Sequence, residues 1–376
     1  MGKGSVTQAS LAPPLAGERD GRFYSPQLDA LRFFAALLVL HDHSPTLPWA
    51  PLAALQPYGW VGIDLFLCLS AFLIARLLLL EHERTGGISI RSFYIRRALR
   101  IWPLYFGYAT AVSLWVLFRG KIAAATVLAW WLSHVSFSNN LLTAVKGWTP
   151  IPWSLQLWTI SLEEQAYFLL PLVLFAVVML RPSTRTVICV AVAVVVVLIL
   201  ARLACFLVGQ PTNFFYVLPI RGDAFVFGTL AAILLSRNVI QPRAWMFPLG
   251  MVVMAMLVLF SPLEKHTWYD VFGYTVTALG ATAVVFGSQA AIYDNSPLTW
   301  QPLRYLGKIS YGIYVFHILA IDVAQKLQQK IQLSNSWTWL LGFALTIAIS
   351  AASYHLYERH FLKLKRRFEM VPSRPA

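Results

Sequence analysis

The sequence predicts an all-α integral membrane protein, a single bundle of about ten transmembrane helices. Two observations lead to this fold class. Of the 376 residues, 58% are hydrophobic and only 12% are charged, whereas soluble domains carry about 25% charged residues. Apolar runs of about 20 residues, the length that crosses the hydrocarbon core, recur along the whole chain. We expect the lipid bilayer to surround the protein, and no partner that is a nucleic acid, because the net charge of +14 follows the membrane topology.

Ten spans are predicted, at residues 28–46, 59–80, 100–118, 158–180, 186–208, 220–236, 244–261, 269–289, 304–325 and 337–357. The apolar segment 122–137 is either an eleventh span or an interfacial helix. With ten spans and a cytoplasmic N-terminus, most lysine and arginine residues fall in cytoplasmic segments, as the positive-inside rule requires. An eleventh span would place Lys363–Arg367 outside. The charge distribution therefore favours ten spans with both termini cytoplasmic, in a membrane that we take to be the bacterial inner membrane.

The chain divides into a cytoplasmic tail at residues 1–27, a transmembrane domain at 28–357 and a basic cytoplasmic tail at 358–376. Residues 1–27 contain no apolar segment of the signal-peptide type, so we expect no cleavable signal. Cys68, Cys189 and Cys205 lie in apolar runs without the spacing of a metal site, and no metal is expected.

The first span, LDALRFFAALLVLHDHS, carries Asp29, Arg32 and His43. At 100° per residue these three side chains share a stripe about 60° wide, whereas His41 points away from it. A charge at the bilayer centre costs roughly 2.5–3.5 kcal/mol, so a polar stripe in a span indicates function. Taken alone, the stripe also fits a helix-end ion pair beside an interfacial histidine.

An arginine cluster precedes the third span, where Arg97 and Arg100 follow Arg96. Residues three apart share a helix face, so Arg97 and Arg100 could bind a phosphorylated ligand through bidentate guanidinium contacts. The alternative is a positive-inside anchor that contacts lipid phosphates. Lys308, near the cytoplasmic end of the ninth span, is expected only to extend to the interface.

Two adjacent glutamates, Glu163 and Glu164, open the fourth span in the motif WTISLEEQAY. Neighbouring residues diverge by about 100°, so at most one of them faces the bundle interior squarely. Ser161 and Glu163 lie about 200° apart and would share a site only if the helix began irregularly. We expect the glutamates at the same outer depth as His43, where a carboxylate would orient the imidazole and raise its basicity.

Further polar residues fall in the same outer half of the predicted bundle. Arg221 and Asp223 open the sixth span, and Tyr314 and His317 lie on one stripe of the ninth. Arg202 is deep enough to need a partner, which the sequence does not identify. The candidate substrate-binding residues are Asp29, Ser161, Arg221, Asp223, Tyr314 and His317.

Seven motifs in this order resemble the acyltransferase 3 family of integral membrane O-acyltransferases. They are LDALR–x10–H, GWVGIDLFLCLSAFLI, FYIRRALRIWPLYF, WTISLEEQAYFLLPL, RGDAFVFG, LGKISYGIYVFH and YERHFLKLKRR, spread over residues 26–368. Two motifs depart modestly from the family pattern: its Ser–Gly–Phe is Ser70–Ala71–Phe72 here, and its Glu–Arg–Pro is Glu358–Arg359–His360.

The resemblance implies transfer of an acyl group, usually acetyl, from cytoplasmic acyl-CoA to a hydroxyl of a carbohydrate or related acceptor. It makes His43 the catalytic residue, with Arg32 in the same motif, and it assigns Arg97 and Arg100 to acyl-CoA handling. The family's Ser–x–Glu pattern maps onto Ser161 and Glu163. Some relatives add an extracytoplasmic esterase-like domain that this sequence lacks, which implies that one chain completes the acceptor step.

We therefore predict a membrane O-acyltransferase acting on a cell-surface or exported glycan or glycolipid. Its predicted catalytic residues are His43, Glu163 and Arg32, and its acyl-CoA-binding residues are Arg97, Arg100 and Arg32, with no permanently bound cofactor. His43 acts either as a general base or as a transiently acylated nucleophile. The alternatives are acylation of a small molecule such as a macrolide, and a proton-coupled sugar or lipid transporter.

Overall fold

The structure, a computed structural model, describes residues 18–19, 22–210, 217–260 and 267–372. Apart from two short paired strands, the regular elements of these residues are helices, which confirms the all-α prediction. Most of the predicted N-terminal tail, and residues 373–376 of the predicted C-terminal tail, lie outside the described residues. The elements are β1 (Glu18–Arg19), β2 (Arg22–Phe23), α1 (Pro26–His43), α2 (Ala50–Leu55), α3 (Val61–Thr85), α4 (Ile90–Arg119), α5 (Ala124–Val135), α6 (Asn139–Lys146), α7 (Leu157–Leu180), α8 (Thr184–Leu207), α9 (Asp223–Ser236), α10 (Met246–Phe260), α11 (Trp268–Gly287), α12 (Gln301–Lys308), α13 (Ser310–Ile331), α14 (Asn335–Ser353) and α15 (Arg359–Lys365).

Eight of the ten predicted spans coincide with one helix each, with boundaries that shift by a few residues. The third begins ten residues earlier than predicted, at Ile90, and the ninth is divided between α12 and α13, which are bent by 71°. Six helices of the described ranges are long and apolar enough to cross a membrane, or seven if the bent pair α12–α13 forms one span. Others are short for a crossing, since α9 has 14 residues and α10 has 15. The number of ten crossings, and their orientation, therefore remain predictions.

Helix α3 lies at the centre of the bundle. It packs against α1, α7, α9 and α11, and 78% of its most apolar window is buried. The corresponding windows of α8 and of the α14 region are only 28% and 22% buried, which is typical of helices that face lipid. Small residues permit the close central packing: a Cβ on Gly228 of α9 would lie 2.5 Å from the Cys68 carbonyl oxygen of α3.

The bundle has two chemically different ends. We call the end where α1 and α4 begin and α3 terminates the basic end, because it carries Arg97 and Arg100. The opposite end, where α1 terminates at His43, is the histidine end. Helix α13 begins at the basic end, where Gly307 packs directly on the Asp29 backbone. Because α12 and α13 are bent by 71° at this joint, α13 then runs beside α1 and brings His317 to His43.

Residues 122–137 adopt neither of the two arrangements that the sequence left open. Helix α5 folds back along α4, the chain reverses at residues 136–138, and α6 returns along α7. The turn residue Phe137 stacks on Tyr105 in the middle of α4, at 5.2 Å between ring centroids, and its carbonyl accepts a 2.8 Å hydrogen bond from Gln165. Non-helical backbone at membrane depth is tolerated when protein groups satisfy it. The segment is therefore an inward hairpin that enters and leaves at the histidine end and adds no crossing.

Candidate active site

A cavity opens at the basic end, between α1, α3 and α4. We call it the inner cavity. Five cations line it: Arg32, Arg96, Arg97, Arg100 and Lys365. The predicted shared face of Arg97 and Arg100 is therefore confirmed, and Arg32 of α1 contributes to the same cavity.

Three of the five cations in the inner cavity form ion pairs, whereas Arg97 is not neutralised by a carboxylate. The three lining carboxylates each hold a cation: Asp29 holds Arg32 at 2.9 Å, Glu81 holds Arg96 at 3.0 Å, and Glu369 holds Lys365 at 2.9 Å. Arg97 instead lies over the rings of Phe93 and Tyr167, at 5.7 and 5.4 Å from their centroids. No carboxylate among the described residues lies within ion-pair distance of Arg97. Its guanidinium therefore retains its charge for a ligand.

A second, smaller cavity of about 20 Å³ lies further along the bundle, between α1, α3, α7 and α13. We call it the middle cavity; its polar lining includes Glu163 and Tyr314. The Tyr167 hydroxyl donates to the Glu163 carboxylate at 3.0 Å, while the ring of Tyr167 faces Arg97. Glu163 also interacts electrostatically with Arg97 and Arg32. Tyr167 and Glu163 thus connect the inner cavity to the middle one.

The histidine end of the site consists of His43 and His317, whose ring centroids lie 5.1 Å apart at an angle of 68°. In His43, Nδ1 lies 2.9 Å from the Val39 carbonyl, which fixes the tautomer that leaves Nε2 able to accept a proton. In His317, Nδ1 lies 2.7 Å from the Tyr314 carbonyl, and its buried Nε2 has no hydrogen-bond partner among the described residues. The two imidazole rings therefore lie next to each other, each with its Nδ1 directed at a backbone carbonyl of its own helix.

His41 has a different role, as its position on the opposite face of α1 predicted. Its Nε2 bonds to the Leu52 carbonyl at 2.8 Å, and its Nδ1 accepts from the Trp339 indole at 3.2 Å. His41 therefore ties α1 to α2 and α14, and the stripe argument correctly separated it from His43.

The expected depth of the glutamates is wrong. The residue of α7 that meets Tyr314 is Thr159, whose hydroxyl lies 2.5 Å from the tyrosine oxygen. Glu163 lies four residues, or about 6 Å, closer to the basic end along α7. Tyr314 itself precedes His317 by almost one turn, so Glu163 lies closer to the basic end than His43 and shares its cavity with Ala35 and Val39 of α1. Relative depth depends on how two helices are aligned, which spacing within one helix does not determine.

The predicted divergence of neighbouring side chains on α7 is confirmed. Glu163 faces the middle cavity, whereas Glu164 points toward α4 and accepts a hydrogen bond from the Trp102 indole at 2.9 Å. Ser161 lies fully buried with its hydroxyl 3.3 Å from that of Tyr105. Because α7 is helical from Leu157 onward, Ser161 and Glu163 remain on opposite faces, and the structure does not bring Ser161 into the middle cavity.

Arg221 and Asp223 belong to two buried ion pairs between helices. Arg221 binds Asp64 at 2.9 Å and stacks over the Tyr274 ring at 4.4 Å. Asp223 binds Arg202 through both carboxylate oxygens, at 2.5 and 3.1 Å, and this identifies the partner that Arg202 required. Neither residue lines the inner or the middle cavity. The structure therefore places the two residues in interhelical contacts.

Sequence reasoning missed three residues of this site. Tyr167 carries a usable signal, because a tyrosine four residues after a glutamate lies on the same helix face. Thr159 likewise precedes Glu163 by four residues. Lys365 carries no such signal: it lies in the basic C-terminal segment, and only the tertiary fold brings it to Arg97.

The comparison with protein families decides the class of the chain. The family model described as an acyltransferase domain, acyltransferase 3, matches residues 25–355. The chain belongs to this family. The acyltransferase fold thus includes every predicted site residue, from Asp29 to His317.

Among its relatives, this acyltransferase is similar to the peptidoglycan O-acetyltransferase OatA of Listeria monocytogenes, with 25% identity over 90% of this chain and 56% of the relative. OatA of Staphylococcus aureus is 24% identical over 94% of this chain and 60% of the relative. ORF330 of Acidianus two-tailed virus, named provisionally as an acetyltransferase, is 30% identical over 79% of this chain and 83% of that protein. The chain thus spans little more than half the length of the bacterial relatives. No solved structure is significantly similar to it.

Proposed function

We propose that this acyltransferase moves an acetyl group from cytoplasmic acetyl-CoA to a hydroxyl of a cell-surface or exported glycan or glycolipid. One observation carries the proposal: a polar series runs from the basic inner cavity through Tyr167 and Glu163 to the pair His43–His317 at the other end. Family membership supports acyl transfer, and the names of the bacterial relatives support acetyl and a glycan.

The inner cavity suits the phosphates of the donor. Arg97 is not neutralised by a carboxylate, and Arg100 lines the same wall. A guanidinium binds phosphate oxygens in a bidentate manner and keeps its charge at any physiological pH. With the phosphates held there, the pantetheine arm extends along α1 past Arg32 toward His43. Donor and acceptor then approach the reaction centre from opposite ends of the bundle.

His43 supplies the base. In the direct route, its Nε2 takes the proton of the acceptor hydroxyl while that oxygen attacks the thioester carbonyl carbon. The new C–O bond forms, the C–S bond breaks, and the CoA thiolate leaves and is protonated to the thiol. In the two-step route, Nε2 attacks the thioester first and the acetyl-histidine then acylates the acceptor. Trapping of radiolabelled acetyl on the protein in the absence of acceptor separates the two routes.

A matched pair of histidine variants tests the function. We expect His43→Gln to abolish acceptor O-acetylation, because an amide cannot take a proton, and His41→Gln to retain most of it, because an amide can replace both structural hydrogen bonds of His41. Acetylation is measured by mass spectrometry of surface glycans from a deletion strain that expresses each variant. Immunoblots of the membrane fraction confirm insertion. An equal loss in the two variants would contradict the assignment of His43.

A further inference from the structure

A third cavity, of about 340 Å³, adjoins the inner cavity at the basic end. We call it the side cavity; it lies between α12, α15 and the beginning of α1. The two cavities have five lining residues in common: Tyr24, Asp29, Arg100, Lys365 and Glu369. They are therefore neighbouring lobes of one basin, and a ligand in the inner lobe can extend into the side lobe.

The side lobe adds three cations of its own, Arg304, Lys308 and Arg366. Arg304 and Lys308 are four residues apart on α12, so their side chains lie on one face of that helix. No carboxylate of the described residues forms an ion pair with any of the three. The two acidic residues in the lining already hold other cations, because Asp29 binds Arg32 and Glu369 binds Lys365.

Neutral aromatic groups hold the two α12 cations in position. The Arg304 side chain donates to the Tyr24 hydroxyl at 3.1 Å and lies over the same ring at 5.4 Å. The Lys308 ammonium lies 5.1 Å from the centroid of Tyr354. Cation–π contacts of this kind fix a cation without cancelling its charge. A carboxylate would neutralise it. The side lobe is therefore built to receive an anion.

CoA carries two separate anionic groups, a pyrophosphate that leads to the pantetheine arm and a phosphomonoester on the 3′-oxygen of its ribose. We propose that Arg304 and Lys308 bind the 3′-phosphate in the side lobe, while Arg97 and Arg100 bind the pyrophosphate in the inner lobe. The inference rests on the proposed acyl-CoA donor and specifies which part of it the second lobe recognises. It implies selection for CoA over donors that lack the 3′-phosphate.

Binding of CoA and of 3′-dephospho-CoA tests this assignment with the full chain in phosphatidylcholine nanodiscs. We expect the wild type to prefer CoA. We expect the double variant Arg304→Gln, Lys308→Gln to bind CoA roughly ten- to a hundredfold more weakly, the loss expected when contacts to a charged group disappear. Its affinity for dephospho-CoA should be unchanged. The variant Arg304→Lys, Lys308→Arg keeps both charges and should keep the preference for CoA.

A second double variant, Lys363→Gln, Arg367→Gln, is the matched control. It removes two positive charges from the same end of the bundle, at exposed residues that line neither lobe. It should bind both ligands as the wild type does. A general effect of net charge would appear in this control as well, and would overturn the proposal.

The remaining outcomes are distinct. If the α12 double variant loses both ligands equally, or neither, the 3′-phosphate is bound elsewhere and the inference is wrong. If the side lobe binds a lipid headgroup phosphate instead, the α12 double variant keeps the preference for CoA and retains less phosphatidylglycerol than the wild type on purification. That result also overturns the inference. If the wild type binds neither form, the proposed acyl-CoA donor itself is wrong.

Discussion

The ion pair between Arg202 and Asp223 permits a test of whether Asp223, in the motif RGDAFVFG, contacts substrate or holds helices together. Arg202 has no solvent exposure, and its guanidinium bonds to Asp223, Thr275 and the carbonyls of Val271 and Ile220. Substituting Asp223→Asn keeps the volume but leaves a buried cation without a counter-charge. It also turns an amide N–H group toward the guanidinium.

The expected cost follows from that burial. Breaking a buried, hydrogen-bonded ion pair by removing one partner costs about 3–5 kcal/mol, because the remaining charge is desolvated and uncompensated. Replacing both partners with apolar residues removes that penalty. We therefore expect Asp223→Asn to lower the unfolding midpoint strongly, and Arg202→Met combined with Asp223→Leu to recover most of the loss.

Two measurements on each variant separate the roles. Thermal unfolding of the purified protein in detergent gives the stability, and donor turnover per folded molecule gives the activity. If Asp223 holds helices together, the double variant regains both stability and turnover. If Asp223→Asn leaves the midpoint unchanged and abolishes turnover, Asp223 acts on substrate and the interpretation as an interhelical pair is refuted.

Two other predictions concern the donor and the topology. Arg97→Ala should weaken acetyl-CoA binding in nanodiscs roughly ten- to a hundredfold, since contacts of a charged group are lost. The control Lys363→Ala should leave the affinity unchanged. If Arg97→Ala also leaves the affinity unchanged, Arg97 is only a topological anchor. In a cysteine-free background, a cysteine at Ser334 should react with a membrane-impermeant maleimide in intact cells and one at Ser183 should not. The reverse pattern would refute transfer across the membrane.

The structure supports the choice of these two labelling positions. Asn335, next to Ser334, donates to the Thr46 carbonyl at 2.9 Å, which fixes that loop at the histidine end. Ser183 caps the beginning of α8, at the opposite end of α7 from Thr159. Roughly 30 Å of hydrocarbon separates the two surfaces of a bilayer, so the two cysteines would report on different compartments.

Local geometry alone determined much of this protein. Hydropathy located its helices, and the rotation of 100° per residue correctly separated His43 from His41 and Glu163 from Glu164. The same rotation placed Arg97 and Arg100 on one face of α4, which lines the inner cavity. These relations hold within a single helix, whose backbone hydrogen bonds fix every side-chain direction whatever the helix packs against.

Only the tertiary structure decided what meets across helices. It paired Arg202 with Asp223, set Glu163 closer to the basic end than His43, turned residues 122–137 into an inward hairpin, and brought α12 and α15 to the basic cavities. None of these contacts follows from spacing along one segment. Nearly every helix here is apolar on most faces, because lipid and protein are similar surroundings for such side chains. Which face is buried, and at what depth, was therefore set by the packing of small residues and by interhelical polar pairs.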